Sequence, residues 1–256
     1  MKSSRTDLAR FVDPLSQRTL AIRPDITPQI ARIVSTQLAG VARPFRLAYA
    51  GPVVKLGATQ RNPQRETMQV GAELIGSDAV DAASEIIRIA VAALSAAGVT
   101  GVTVDLTLPD LVQTLAGLIL SPAKINELDL LLDMKDAGRL VSAGYGDWLP
   151  LIAATGPVVP ALGALRRFDH AGLMTSRIDG IATIAASITD ENVRVTLDPT
   201  ERHGFEYQSW FGFSLFVDGV PNAIGRGGSY LITHPDGKTE PATGFSIFPD
   251  SISKDA

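Results

Sequence analysis

Three stretches near the end of the chain have strand character: NVRVTLD (residues 192–198), GFEYQSWFGFSLFVDG (204–219) and ATGFSIF (242–248). Turn signals separate the later ones, Asp218-Gly219 leading into PNAIGRGG and Pro235-Asp236-Gly237 following it. Such short returns join antiparallel neighbours, since parallel strands need a long crossover. Earlier in the chain, RTLAIR (18–23), FRLAYAGPVV (45–54), TMQVGAELI (67–75) and VTGVTVDLTL (99–108) also read as strands. Helical spacing comes between them. In RPDITPQIARIVSTQLAG (23–40), Ile30, Ile33, Val34 and Leu38 form a stripe, with Thr27 as cap, Pro28 at the first position and Gly40 as the stop. Ser77 and Asp78 cap a second helix running to about Gly98. Two or three more are expected within PDLVQTLAGLIL, PAKINELDLLLDMKDAG and much of 149–188. The expected class is α+β, a mostly antiparallel sheet with helices packed on it, in a single domain over 1–256.

Composition narrows the function classes. The chain has 256 residues, 45% hydrophobic and 20% charged, with a net charge of -4. No lysine or arginine cluster is present to draw a polyanion, so nucleic acid is not an expected partner. The longest apolar run, IIRIAVAALSAAGV (86–99), contains Arg88 and suits a packed helix, so no membrane role is expected. MKSSRTDLARFVD has no apolar core of a signal peptide, and the absence of cysteine excludes disulfides, zinc ribbons and thiol catalysis. Both fit a cytoplasmic location.

Within residues 67–75, alternation turns Met68, Val70, Ala72 and Leu74 one way and Thr67, Gln69, Gly71, Glu73 and Ile75 the other. Gln69 and Glu73 therefore share a face, about 13 Å apart, with bare backbone at Gly71 between them. Two readings fit: a polar strand face in water, or a pocket for a small ligand rich in N–H groups. Arg23, Asp25 and Thr27 sit where strand becomes helix, a place that can bind a polar ligand, though Thr27 as a cap and Asp25 as a turn residue explain them nearly as well. GRGGSY (225–230) lacks the Lys-Ser/Thr of a phosphate loop and reads as a close backbone approach or strand bend. His170, His203 and His234 have no metal-ligand spacing, and Tyr207 and Trp210 read as core or sheet-face residues. No catalytic arrangement, metal site or cofactor is visible.

Taken in order, TLAIRPDITPQIARI, FRLAYAGPVVKLGATQRNPQRETMQVGAELIG, RHGFEY, GRGGSY and ATGFSIF resemble the catalytic core of histidyl-tRNA synthetases. They resemble more closely the family of its non-catalytic paralogues, the regulatory subunits of short-form ATP phosphoribosyltransferase. The resemblance spans nearly the whole chain. It implies a class II aminoacyl-tRNA synthetase-like fold, an antiparallel sheet flanked by helices, and a histidine pocket formed by Asp25, Thr27, Gln69, Glu73, Arg202, Tyr207 and Tyr230. In that pocket Asp25 and Glu73 would meet the amino group and an imidazole N–H, and Arg202 the carboxylate. The implied partner is the catalytic ATP phosphoribosyltransferase subunit, with histidine as effector of the first step of histidine biosynthesis.

Departures from the synthetase pattern separate the two relatives. Adenylate formation needs fixed positive charge on the ATP phosphates, supplied in synthetases by an arginine in the second motif and another in the third. Here Lys55 stands at the first position, with Gly57 in place of an acidic residue, and Ser251 at the second. A non-catalytic regulator is thus expected, with a minimal histidine-activating enzyme as the alternative. Phe205 replaces an aspartate of the late aromatic motif. The family's segment before Leu8, including its first motif, and its anticodon-binding domain are not matched.

Overall fold

The computed structural model describes residues 8–56, 65–117, 119–202 and 208–252. Its centre is an eight-stranded sheet built from the alternating segments. In spatial order the strands are β3 (Phe45–Val54), β4 (Glu66–Ile75), β10 (Thr239–Ile247), β9 (Gly225–Thr233), β8 (Gln208–Val217), β5 (Val102–Thr107), β7 (Arg194–Leu197) and β6 (Gly156–Pro157). Neighbours run antiparallel except for β5 with β7. A separate two-stranded ribbon pairs β1 (Arg10–Val12) with β2 (Thr19–Ala21), with every residue of both strands exposed.

Chain order and sheet order differ, and the difference builds the site. β4 and β9 lie more than a hundred residues apart in sequence, yet only β10 separates them in the sheet. Gly244 of β10 is opposite both Glu73 of β4 and Gly228 of β9. Directly opposed residues of an antiparallel pair share a face, so Gln69, Gly71 and Glu73 lie on one face with Tyr49, Gly244, Ser246, Arg226 and Gly228.

Each face carries its own core. On one side, Leu74, Phe213, Leu215, Phe245 and Ile247 pack against Ile86, Ile87, Ala90 and Leu94 of α2 (Val80–Ala96). Ile178, Ile181 and Ile184 of α8 (Thr175–Ser187) join the same cluster. On the other side, Ile26 together with Ile30 and Val34 of α1 (Thr27–Thr36) covers Val53, Ile75, Tyr230, Ile232 and Ala242. A fully buried aliphatic side chain contributes about 1.5–3 kcal/mol, so the apolar stripe of α1 is enough to hold it on the sheet.

The first helix begins differently from expectation. Thr27 is its first residue, not its cap; the Asp25 carboxylate accepts the Thr27 N–H at 3.0 Å, and the Thr27 hydroxyl is left for the sheet. It ends at Thr36, short of Gly40. Between β5 and β7 the described chain has more helices than expected: α3 (Leu111–Ala116), α4 (Pro122–Asp133), α5 (Ala137–Ser142), α6 (Leu149–Ala153) and α7 (Val158–Phe168), as well as α8. Several are only five or six residues long, below the length at which helical periodicity can be read. Among the described residues, no helix is long and apolar enough to cross a membrane.

Candidate functional site

Five of the seven expected pocket residues meet where the N-terminus of α1 lies on β4, β10 and β9. The Tyr230 hydroxyl donates to Glu73 Oε2 at 3.0 Å. At the other carboxyl oxygen the Thr27 and Tyr49 hydroxyls approach Oε1, each at 3.4 Å. Contacts of that length are at the weak end of hydrogen bonding, so a better donor can replace them at small cost. Glu73 is 2% exposed. Its carboxyl pKa is pushed up to about 8, chiefly by burial, with the Asp25 charge adding to the rise and the hydroxyl donors opposing it.

Gln69, 1% exposed, ties the site together. Its Oε1 accepts the Ile26 N–H at 3.0 Å, while Nε2 donates to Asp25 Oδ1 at 2.7 Å and to Ser246 Oγ at 2.8 Å. One amide thus fixes the first residues of α1, the Asp25 carboxylate and β10 relative to one another. Ser246 Oγ also lies 2.8 Å from the Tyr49 hydroxyl. Burial, and next the Glu73 charge, push the Tyr49 phenol pKa upwards, so Tyr49 stays a neutral donor.

Glycines make the floor. A Cβ on Gly244 would stand 1.5 Å from Glu73 Oε2, and one on Gly71 would meet the Phe245 carbonyl at 2.2 Å and the Tyr49 ring at 2.5 Å. Gly228, at φ +152, has Gln208 Oε1 2.2 Å from its missing Cβ. The close backbone approach read from GRGGSY is therefore present, and it gives room to side chains from neighbouring strands. Above the floor opens a cleft of about 210 Å³ counted to its mouth, with room at depth for about one water. Thr27, Glu73, Tyr230 and Ser246 line it, together with Gln208 and Arg226.

Of the other two expected residues, only Arg202 is described. Arg202 does not line the cleft: its guanidinium forms an ion pair with Asp129 of α4, and its backbone N–H donates to Asp133 Oδ1 at 2.7 Å. Tyr207 lies outside the described residues, as do Gly57, His203 and Phe205. Sequence reasoning missed Tyr49, Ser246, Gln208 and Arg226, which reach the site only through strand register. Alternation in FRLAYAGPVV could have flagged Tyr49 as an inward tyrosine; nothing local marked the other three.

Lys55 does not line the cleft; its Nζ lies 4.6 Å from the centre of the Phe248 ring. Burial depresses its ammonium pKa; the Asp25 charge opposes the shift and Arg226 adds to it. Ser251 ends a short helical turn, Pro249–Ser251, next to Asp250, whose carboxylate accepts the Met68 N–H at 2.7 Å. Among the described residues no group of histidine, aspartate and glutamate side chains is arranged to hold a metal ion.

Comparison with known proteins agrees with this architecture. ATP phosphoribosyltransferase regulatory subunits from Rhodospirillum centenum and Gluconobacter oxydans are 39% and 33% identical over 249 and 252 residues. Those alignments cover 95% and 96% of this chain, but the chain spans only 64% and 65% of those relatives. Among solved structures, an ATP phosphoribosyltransferase regulatory subunit/histidyl-tRNA synthetase from Bacillus halodurans superposes with a TM-score of 0.82 at 22% identity, covering 98% of this chain and 68% of that one. A chain of the ATP phosphoribosyl transferase (HisG:HisZ) complex from Thermotoga maritima gives 0.73 at 17% identity, covering 94% and 85%. At these identities the superpositions establish the class II synthetase-like fold. The family model described as histidyl-tRNA synthetase matches residues 1–252, and the chain belongs to that family.

Proposed function

We propose that this chain is a non-catalytic regulatory subunit of short-form ATP phosphoribosyltransferase. In this reading it works in the cytoplasm on the first step of histidine biosynthesis, binds the catalytic subunit, supports its activity and holds histidine as feedback effector. The observation that carries the reading is the Glu73 cluster: a buried carboxyl ringed by three hydroxyls, with Asp25 and Gln69 beside it. Such a cluster suits a ligand with an ammonium group and a ring N–H, which histidine has. The names of the 39% and 33% identical relatives support the same role, as does the fold shared with a chain of the Thermotoga HisG:HisZ complex.

Chemistry supports regulation over activation. Lys55 is held on an aromatic ring and Ser251 is uncharged, so neither offers the planar, bidentate cation that stabilises a transferring phosphoryl group. Regulation sets one further requirement, that histidine binds one state of the assembly better than another. The test is to mix the purified chain with a short-form catalytic subunit and assay phosphoribosyl transfer with and without histidine. A complex whose activity depends on this chain and falls with histidine is expected; no complex and no change in activity overturns the proposal. Robust histidine-dependent pyrophosphate exchange by the chain alone would favour amino-acid activation instead.

A further inference from the structure

The geometry points to Arg226 and Gln208 as ligand contacts in the Glu73 cleft, Arg226 meeting the carboxylate of a bound α-amino acid and Gln208 accepting one of its N–H groups. This orientation rests on the reading of the cleft as an amino-acid pocket, and assigns its two ends.

The cleft is polar along its length. Its acidic group, Glu73, comes from β4, with Asp25 held nearby by Gln69 just ahead of α1, whereas Arg226 comes from β9. Glu73 is opposite Gly244, which is opposite Gly228, and Arg226 is two residues further along β9. That is two strand spacings across and one two-residue step along, about 12 Å between Cα atoms. Both side chains line the cleft across this gap, and Gly228 and Gly244 put no side chain in the way. Arg226 has serines opposite it on both neighbouring strands, Ser214 and Ser246. A guanidinium there can take a carboxylate in its fork while hydroxyls complete the remaining hydrogen bonds. Arg202 is engaged with Asp129 and lies outside the lining of the cleft.

Gln208 supplies an independent observation. Its Oε1 is buried in the cleft wall without a hydrogen-bond partner. The β8–β9 ladder is irregular between Gln208 and Gly212, which sets Gln208 opposite Tyr230 and its amide against Gly228. A buried acceptor left unmet is costly, and a ligand N–H arriving beside Tyr230 removes that cost.

Calorimetry on the full chain with L-histidine and with histidinol, which carries a hydroxymethyl group for the carboxylate, tests both assignments. Wild type should bind histidine about thirtyfold or more tightly than histidinol. Arg226→Gln should bring histidine down to the histidinol level and leave histidinol unchanged, while Arg226→Lys keeps part of the preference and serves if the glutamine variant does not fold. Arg226→Gln weakening both ligands equally, or neither, overturns the carboxylate assignment. Gln208→Met should weaken both ligands by about tenfold; unchanged binding removes Gln208 from the site. Wild type binding neither ligand overturns the amino-acid pocket itself, an outcome distinct from failure of either assignment.

Discussion

The Tyr230 hydroxyl reaches Glu73 Oε2 at 3.0 Å across β10, where a Cβ on Gly244 would stand 1.5 Å from that oxygen. This bond crosses a whole strand and needs a glycine beneath it. Gly244→Ala would put a methyl group where Glu73 Oε2 now sits. The variant should lose about 1–3 kcal/mol of stability and most of its affinity for a cleft ligand. Gly40→Ala, where an added Cβ meets nothing within 4 Å, is the control and should be neutral or slightly stabilising in chemical denaturation.

Glu73 makes stability depend on pH. Its folded pKa of about 8 exceeds the ordinary 4.5, so the folded state binds the proton more tightly than the unfolded state. Its contribution is therefore full below about pH 4.5 and is lost as pH rises through about 8, with a slope of up to ~1.4 kcal/mol per pH unit. Burial also raises the carboxyl pKa values of Asp105 and Asp110, so the decisive comparison is between wild type and Glu73→Gln. Denaturation midpoints measured from pH 4 to 9, in steps of about one unit, should fall less steeply in the variant. Parallel curves would mean that Glu73 titrates near its ordinary value.

Tyr230→Phe removes the strongest donor to that carboxyl and keeps the ring packed beside Ile232 and Ala242. The phenol lowers the Glu73 pKa, so its loss should move the Glu73 titration upwards, at a stability cost of about 1 kcal/mol. Carboxyl chemical shifts followed by NMR as pH is raised would show the displacement.

Gln69→Leu should be more damaging than its single amide suggests. It leaves the buried Ile26 N–H without its acceptor and removes a donor from Asp25, for a loss of about 1–3 kcal/mol. The loss should appear with a loosened α1, seen as faster amide exchange at Ile30 and Val34, with α2 unaffected.

Arg202 offers a contrast with Arg226. Asp129 is buried and Arg202 only partly so, so Arg202→Ala should cost about 1–3 kcal/mol by stranding a carboxylate. Cleft affinity for histidine should be unchanged in this variant; a loss confined to histidine and absent for histidinol would return the carboxylate contact to Arg202.

How much of this was legible in the sequence depends on how far apart the cooperating residues are. Alternation placed Gln69, Gly71 and Glu73 on one face of β4, because a strand's period is a local property. It could not choose between water and a pocket, since the answer lies in α1 lying across that face. Family resemblance brought in Asp25, Thr27 and Tyr230, which do converge. Arg226 and Ser246 were invisible because they meet only through the β9–β10 register, and that register follows from turn geometry and long-range packing. The parallel contact of β5 with β7 escaped for a related reason: the connection between them runs through the helical middle of the chain. Thr27 was misassigned as a cap because threonine is a good one; the N-cap position falls on Ile26, Asp25 accepts the Thr27 N–H, and the Thr27 hydroxyl is available to Glu73.

The two cores are unequal, and α1 rests on the smaller one. Two opening scales are therefore expected: a large cooperative block, and a lid-sized unit whose opening exposes only a few aliphatic side chains. Sub-global opening of α1 would uncover the Glu73 carboxyl without disturbing the packing of α2 and α8 against the far face. A ligand held between α1 and the strands would then be worth more to this unit than to the rest of the molecule, since its binding energy is added to the weakest part of the fold. Occupancy of the cleft should therefore be written in the exchange protection of one helix.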